Sequence, residues 1–233
     1  MKPSEDKKQK NLLCQFLAQN NINLSNEILD KLYLFADLVV ETKEFGNLIS
    51  PKDSEKILSR HIADSLIPYI YMYRKINADA CLRQHDESNL SSLVSRLEPV
   101  KWADMGAGAG CPVFPLAIAL PKIQFFAVEP RHKRVEFMEF AKKKLHLDNL
   151  TVVGKRFETS GLAYLDVVSC RALSTFENDW ERAQPGLVGG GIFVTLKSYN
   201  NIEHLEGNPD IHIYKYSLPE EEQVYALVTR GNK

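Results

Sequence analysis

The sequence predicts a doubly wound, mainly parallel α/β sheet with an antiparallel C-terminal edge and an N-terminal helical extension. From residue 100 onward, short apolar strands alternate with helical segments, the pattern of a parallel sheet wrapped by crossover helices. The last two strands, "IHIYKYSL" and "QVYALVTR", are separated by the acidic turn "PEEE" with no helix to make a crossover, so they pair antiparallel. The first 99 residues show helical spacing and no strand alternation.

Each element has a local reason. Within residues 9–45, Leu12, Leu13, Phe16 and Leu17 share one helical face, as do Ile28, Leu32, Phe35, Ala36 and Val39. Ser25 or Asn26 is placed to cap the second helix. Gly46 and Pro51 break "FGNLISPKDS" into a connection. A further helix is expected over about 54–73, with Pro68 kinking it or ending its regular part. Residues 77–99, rich in Ser, Asn and charge, read as an irregular linker holding at most one short helix. Beyond it, "VKWADM" is a strand and "PVFPLAIAL" a helix, with Pro112 near its first turn, where a missing N–H costs little. "IQFFAVE" is a strand, "RHKRVEFMEFAKKKLHL" a helix, "LTVVG" and "LDVVSC" strands, "FENDWERA" a helix and "GGIFVTLK" a strand. The expected organisation is therefore a helical extension over 1–76, a linker over 77–99 and a sheet domain over 100–233.

Composition excludes several classes. With 44% hydrophobic and 25% charged residues, the chain reads as globular. A formal net charge of −1 means that any nucleic-acid contact comes from a local patch. No apolar run approaches the roughly 18 residues of a membrane helix, so no membrane partner is expected. Four cysteines, Cys14, Cys81, Cys111 and Cys170, stand far apart with no C-x-x-C pair. That spacing argues against a zinc site or disulfide scaffold and for the reducing cytoplasm.

The chemistry concentrates in "KWADMGAGAGCPVFPLAIALPKIQFFAVEP", residues 101–130. Gly106, Gly108 and Gly110 crowd the turn after Asp104, marking a backbone that turns tightly or lets something approach closely. A phosphate-cradling P-loop needs Lys-Ser/Thr after its last glycine, and none follows Gly110. A dinucleotide fingerprint counted from Gly106 would need glycine where Cys111 stands. The pattern present is acid-x-G-x-G-x-G, with Glu129 ending the second strand 25 positions after Asp104. An acid there can accept both ribose hydroxyls, and Asp104 offers an anionic acceptor near a cationic ligand. A nucleoside that carries a sulfonium and no phosphate fits this set, which is S-adenosyl-L-methionine. Gly106, Ala107 and Gly108 are the loop positions expected against it.

The chain resembles the rRNA small subunit methyltransferase G family, also called glucose-inhibited division protein B. The pieces that carry the resemblance are "NLIS" (47–50), "RHIADSL" (60–66), "DMGAGAGCP" with "PLAI" (104–118), "KRVEF" (133–137), "RFE" (156–158), "DVVSCRA" (166–172) and "LKS" (196–198). It departs from the family pattern at Cys111, Val113, Glu129 and Ser198. The resemblance implies a Rossmann-like methyltransferase sheet and methylation of guanine N7 in 16S rRNA, in the decoding region, with S-adenosylmethionine as donor. It implies Gly106 and Cys111 against the cofactor, Phe157 and Glu158 beside its adenine, and Arg171 at the reacting end. The partner is then small-subunit rRNA or the 30S subunit.

Guanine N7 carries an exposed lone pair and attacks a sulfonium methyl without first losing a proton, so positioning and electrostatics are the enzyme's task. Accordingly the sequence has no Ser-His-Asp signature. Cys170 is a nucleophile only on a 5-methylcytosine reading and is better explained as a small buried residue. Arg171 and Lys197 end successive strands at the carboxyl edge, where doubly wound sheets bind ligands, and are the candidate catalytic residues. His61 and Asp64 share a helical face, and Arg60 and Asp64 are spaced to pair. From Arg131 to Lys144 there are six Lys or Arg against two Glu. Arg131, Lys133 and Arg134 begin at the strand edge and are the candidate phosphate contacts. The alternatives are a methyltransferase with a small-molecule or protein substrate, and a non-catalytic cofactor-binding module. No metal is expected.

Overall fold

The structure is a computed structural model. It describes residues 2–82 and 100–232, the backbone alone over 75–82. Seven strands form one sheet in the order β3-β2-β1-β4-β5-β7-β6. They are β1 Lys101–Met105, β2 Gln124–Val128, β3 Leu150–Val153, β4 Leu165–Arg171, β5 Leu187–Ser198, β6 Ile211–Ser217 and β7 Val224–Gly231. The first five run parallel to their neighbours, and β7 lies antiparallel to both β5 and β6. The doubly wound sheet with an antiparallel C-terminal edge is thus present. The chain reverses direction across the sheet between β1 and β4, the switch point where such folds open a crevice.

The helices are α1 Lys7–Gln19, α2 Asn26–Glu41, α3 Ile67–Leu82, α4 Val113–Ala119, α5 His132–Leu145 and α6 Phe176–Ala183. Asp6 caps α1 by accepting from the Gln9 N–H, and Ser25 caps α2 by accepting from Ile28, each satisfying an otherwise unpaired first-turn donor. The helical extension does not stand apart. Leu13, Phe16, Leu32 and Phe35 join Phe114, Leu116 and Trp102 in one buried cluster over one sheet face. The Phe35 and Phe114 rings stack at 5.0 Å and 8°. α6 covers the opposite face through Phe176, Trp180 and Ala183.

The segment before α3 is more broken than its periodicity predicts. A short helix Pro51–Ser54, capped by Ser50, leads into a π-helical turn Ile57–Ile62 and a further turn Ala63–Ser65. Pro68 lies in the first turn of α3, where no backbone donor is lost, so it starts a helix rather than ending one. α3 then runs to Leu82, past the expected start of the linker at 77. The remainder of that linker, 83–99, lies outside the described residues.

Candidate functional site

β1 delivers the glycine loop to the switch point. Alternation along β1 sends Trp102 and Asp104 to the face carrying the helical extension, and Ala103 and Met105 to the other. Register sets Ser169 of β4 beside Asp104. The Ser169 hydroxyl donates to Asp104 at 2.7 Å and accepts from the Trp102 indole N–H at 2.9 Å. Asp104 is 1% exposed. Burial, partly offset by Ser169 and then Arg171, pushes its carboxyl up to about 7. The acid that sequence spacing nominates as a ligand acceptor is therefore the buried anchor of the loop and does not line the cleft described below.

That burial has a measurable consequence. Between its ordinary value of 3.8 and about 7, the folded chain keeps the Asp104 proton and the unfolded chain sheds it. Stability from this group is therefore full at low pH and lost as pH rises through that window. Asp104→Asn, which cannot ionise, is expected to flatten the fall in unfolding free energy between pH 4 and pH 7, read by urea titration. An unaltered slope would refute the assignment.

The loop itself is pinned by backbone bonds. The Gly106 and Ala107 N–H groups both donate to the Val128 carbonyl, at 2.9 and 3.0 Å. The Gly108 N–H donates to Glu129 at 3.0 Å. Gly108 and Gly110 serve different needs. Gly110 has φ +92°, and a Cβ there would sit 2.5 Å from the Phe114 ring, itself locked against Phe35. Its requirement is packing. Gly108 has φ +60°, and a Cβ there would meet only the Gly106 carbonyl oxygen at 3.8 Å. The space beside Gly108 is open cleft.

This cleft, of about 200 Å³, is lined by Gly106, Ala107, Gly108, Cys111, Arg131, Arg134 and Arg171, together with Val39, Leu48, Ile49 and His61. Seven of the expected site residues thus meet at one place, and apolar residues of α2 and the 47–50 connection close over them. Glu129 stands behind Gly108, 1% exposed, and its carboxylate accepts from the Arg131 backbone N–H and from the Arg131 guanidinium at 2.8 and 3.1 Å. Burial alone would raise its pKa, but the Arg131 hydrogen bonds hold it below the ordinary carboxylate range.

Arg171 ends β4 and forms the inner wall. It donates to Asp64 at 3.1 Å and to the His61 Nδ1 at 3.3 Å, and its side chain is 21% exposed. Because Nδ1 accepts, neutral His61 carries its proton on Nε2, which faces Asp53 at 3.4 Å without a hydrogen bond. Burial first, and then the Arg171 charge, lowers the His61 pKa and keeps the ring neutral. Asp64 also accepts from the Tyr216 hydroxyl. Helical spacing in "RHIADSL" marks His61 and Asp64 as neighbours, but only the fold shows that both clasp Arg171.

Other expected residues are placed elsewhere. Lys197 is engaged with Asp179 at 2.8 Å and the Ser174 carbonyl at 2.6 Å, with side chains 5% and 0% exposed. Phe157 turns its ring into the core against Gly186, and Glu158 pairs with Arg182 at 3.4 Å; neither side chain lines the cleft. Arg134 donates to the carbonyls of Leu48 and Asn47, fastening the 47–50 connection over the cleft. Of the three residues expected on RNA, Lys133 alone is exposed with no partner among the described residues. Cys170 is 1% exposed and its thiol, 3.3 Å from the Thr195 hydroxyl, is pushed up by burial, as expected of a buried structural cysteine.

A comparison with known protein families carries this geometry to an identity. The sequence pattern of rRNA small subunit methyltransferase G matches residues 83–224, more than half of the chain. The chain belongs to that family. Curated relatives agree: Ribosomal RNA small subunit methyltransferase G of Staphylococcus aureus (strain bovine RF122 / ET3-1) is 28% identical over 222 residues, covering 90% of this chain and 84% of the relative. The protein of that name from strain JH9 is 29% identical over 198 residues, covering 83% and 74%. Among solved structures, a methyltransferase from Geobacter sulfurreducens aligns at a TM-score of 0.46 and 16% identity over 70% of this chain and 88% of its own. The protein is thus an S-adenosylmethionine-dependent methyltransferase of small-subunit rRNA. Among the described residues no helix is long and apolar enough to cross a membrane.

Proposed function

We propose that the protein transfers a methyl group to guanine N7 in the decoding region of 16S rRNA, acting in the cytoplasm on small-subunit rRNA or the 30S subunit. The observation that carries this reading is the pairing, in a member of this family, of the bare Gly106–Gly108 cleft wall with an arginine fixed at its inner end.

The residues present fit the cofactor. A side chain at Gly108 would fill cleft space rather than protein, so the bare backbone is free for a nucleoside to approach. The Glu129 carboxylate behind Gly108 suits the ribose hydroxyls, in exchange for Arg131, whose side chain is 67% exposed. Gly106, Ala107 and Cys111 line the same wall. When bound, the cofactor supplies an electrophilic methyl on a sulfonium. Arg171, held by Asp64 and His61, orients the guanine through O6 or a neighbouring phosphate and leaves N7 free. No side chain need take a proton, which accords with a neutral His61 held at Nδ1 by Arg171 and a buried Cys170.

Mapping methylated nucleotides in small-subunit rRNA, with and without the protein, tests the reading. One new guanine-N7 methyl in the decoding region is expected on 30S subunits. Methylation of a protein or small molecule instead would replace it. The RNA footprint has its own test. Lys133→Ala should reduce the slope of log K against log salt by about 0.7, the value of one single-strand phosphate contact. Arg134→Ala should leave that slope unchanged and weaken cofactor affinity, because it frees the 47–50 connection.

A further inference from the structure

A second cleft, of about 200 Å³, opens on the far side of Arg171. Arg60, Asp64, Lys197, Ser198 and Tyr225 line it, and it shares His61, Arg171 and Ala172 with the glycine-loop cleft. The two clefts therefore meet at one wall, at the carboxyl ends of β4 and β5. The sheet edge supplies the distinctive surface. Tyr225 of β7 is in register with Tyr216 of β6, and their rings stack at 5.9 Å and 23°. Tyr216 stacks in turn on Tyr214, at 6.3 Å and 20°. Tyr216 is buried and tied to Asp64, so the column is fixed behind Tyr225. Tyr216 and Tyr225 both line the cleft, and Tyr225, half-buried beside Arg60, is the more exposed of the two.

A base inside structured RNA must leave its stack to reach a methyl donor, and aromatic rings are the usual surface for a base so exposed. We infer that the second cleft receives the purine to be methylated, with the Tyr225 ring as its stacking surface. This rests on the rRNA methyltransferase reading above. Arg171 then forms the partition across which the purine edge meets the methyl donor. Arg60, held by Asp53 at 3.0 Å, stands at the same cleft as a cationic neighbour for the oxygens of the incoming nucleotide. The Tyr214–Tyr216–Tyr225 column makes the surface rigid before RNA arrives, so little ordering is needed on binding.

The test uses the full chain, S-adenosylmethionine and 30S subunits that lack the modification. Base stacking on an aromatic ring is worth about 1–3 kcal/mol, so Tyr225→Ala should lower kcat/KM for 30S subunits by between about 5-fold and about 150-fold. Tyr225→Leu, which keeps apolar bulk in the sheet, should show the same loss if the alanine variant folds poorly. Tyr225→Phe should recover most of the activity, because the ring face and not the hydroxyl is used. The S-adenosylhomocysteine affinity of all three should match the parent. An unchanged kcat/KM in both the Ala and Leu variants overturns the inference, as does a Phe variant no better than Leu. Parallel loss of cofactor affinity would assign the cleft to the cofactor instead. If the parent protein itself methylates no small-subunit RNA, the underlying reading falls, and that result is separable from any effect at Tyr225.

Discussion

Arg171→Ala is expected to lower the single-turnover rate of methyl transfer about a hundredfold at saturating cofactor, the cost of losing a positioning contact when geometry slips by about an ångström. Cofactor affinity should change far less. The motive is the placement of Arg171 in the wall common to both clefts, with Asp64 and His61 fixing its guanidinium. Arg171→Lys should rescue poorly, since an ammonium cannot reproduce the planar fork that engages Asp64 and His61 together. Removing Arg171 also leaves the Asp64 carboxylate with the Tyr216 hydroxyl as its remaining partner among the described residues. Rates must therefore be normalised to the folded fraction, read from a thermal melt beside the kinetics. A variant with a normal saturating rate and weakened cofactor affinity would show that Arg171 clamps the cofactor carboxylate rather than the base.

The other large effect is on stability. Lys197→Met should destabilise the fold by about 3–5 kcal/mol, because it strands the Asp179 carboxylate in the interior. Asp179 is 0% exposed, and besides Lys197 its contact is the Ser174 N–H at 3.3 Å. Replacing both partners with apolar residues, Lys197→Met with Asp179→Leu, should recover much of the loss, since a buried pair offsets little more than its own desolvation. Urea unfolding of the two variants and the double variant measures this directly. A Lys197→Met protein of unchanged unfolding midpoint that has lost methyl transfer would restore the catalytic role that strand position suggested for Lys197.

The contrast between Arg171 and Lys197 shows where sequence reading stops. Both end strands at the carboxyl edge, and nothing local separates them. Asp179 lies on α6, a separate element, and only packing of α6 against the sheet turns its carboxylate onto Lys197. The same holds for Arg131 and Arg134. Their place after β2 reads as a phosphate-facing rim, yet Glu129 and the carbonyls of residues 47 and 48 claim them. The tyrosines of the second cleft were visible only as strand alternation in "IHIYKYSL" and "QVYALVTR". Their cross-strand register made them a column.

What the sequence determined by itself was local or periodic in origin. Alternating strands and helices, the absence of a helix before the last strand and the acid–glycine loop follow from propensities and from spacings of a few residues. They carried the fold class, the cofactor and, through "RHIADSL" and its companions, the family. The tertiary structure decided which ionisable groups face each other, and this is a matter of contacts between residues far apart in the chain. Asp104 and Glu129 are both carboxylic acids at the ends of neighbouring parallel strands, β1 and β2. One is buried on Ser169 with its carboxyl raised to about 7, and the other is held ionised by Arg131 at the cleft edge. Burial and partner set that difference, because the free energy of a charge depends on the dielectric and donors around it rather than on its place in the sequence.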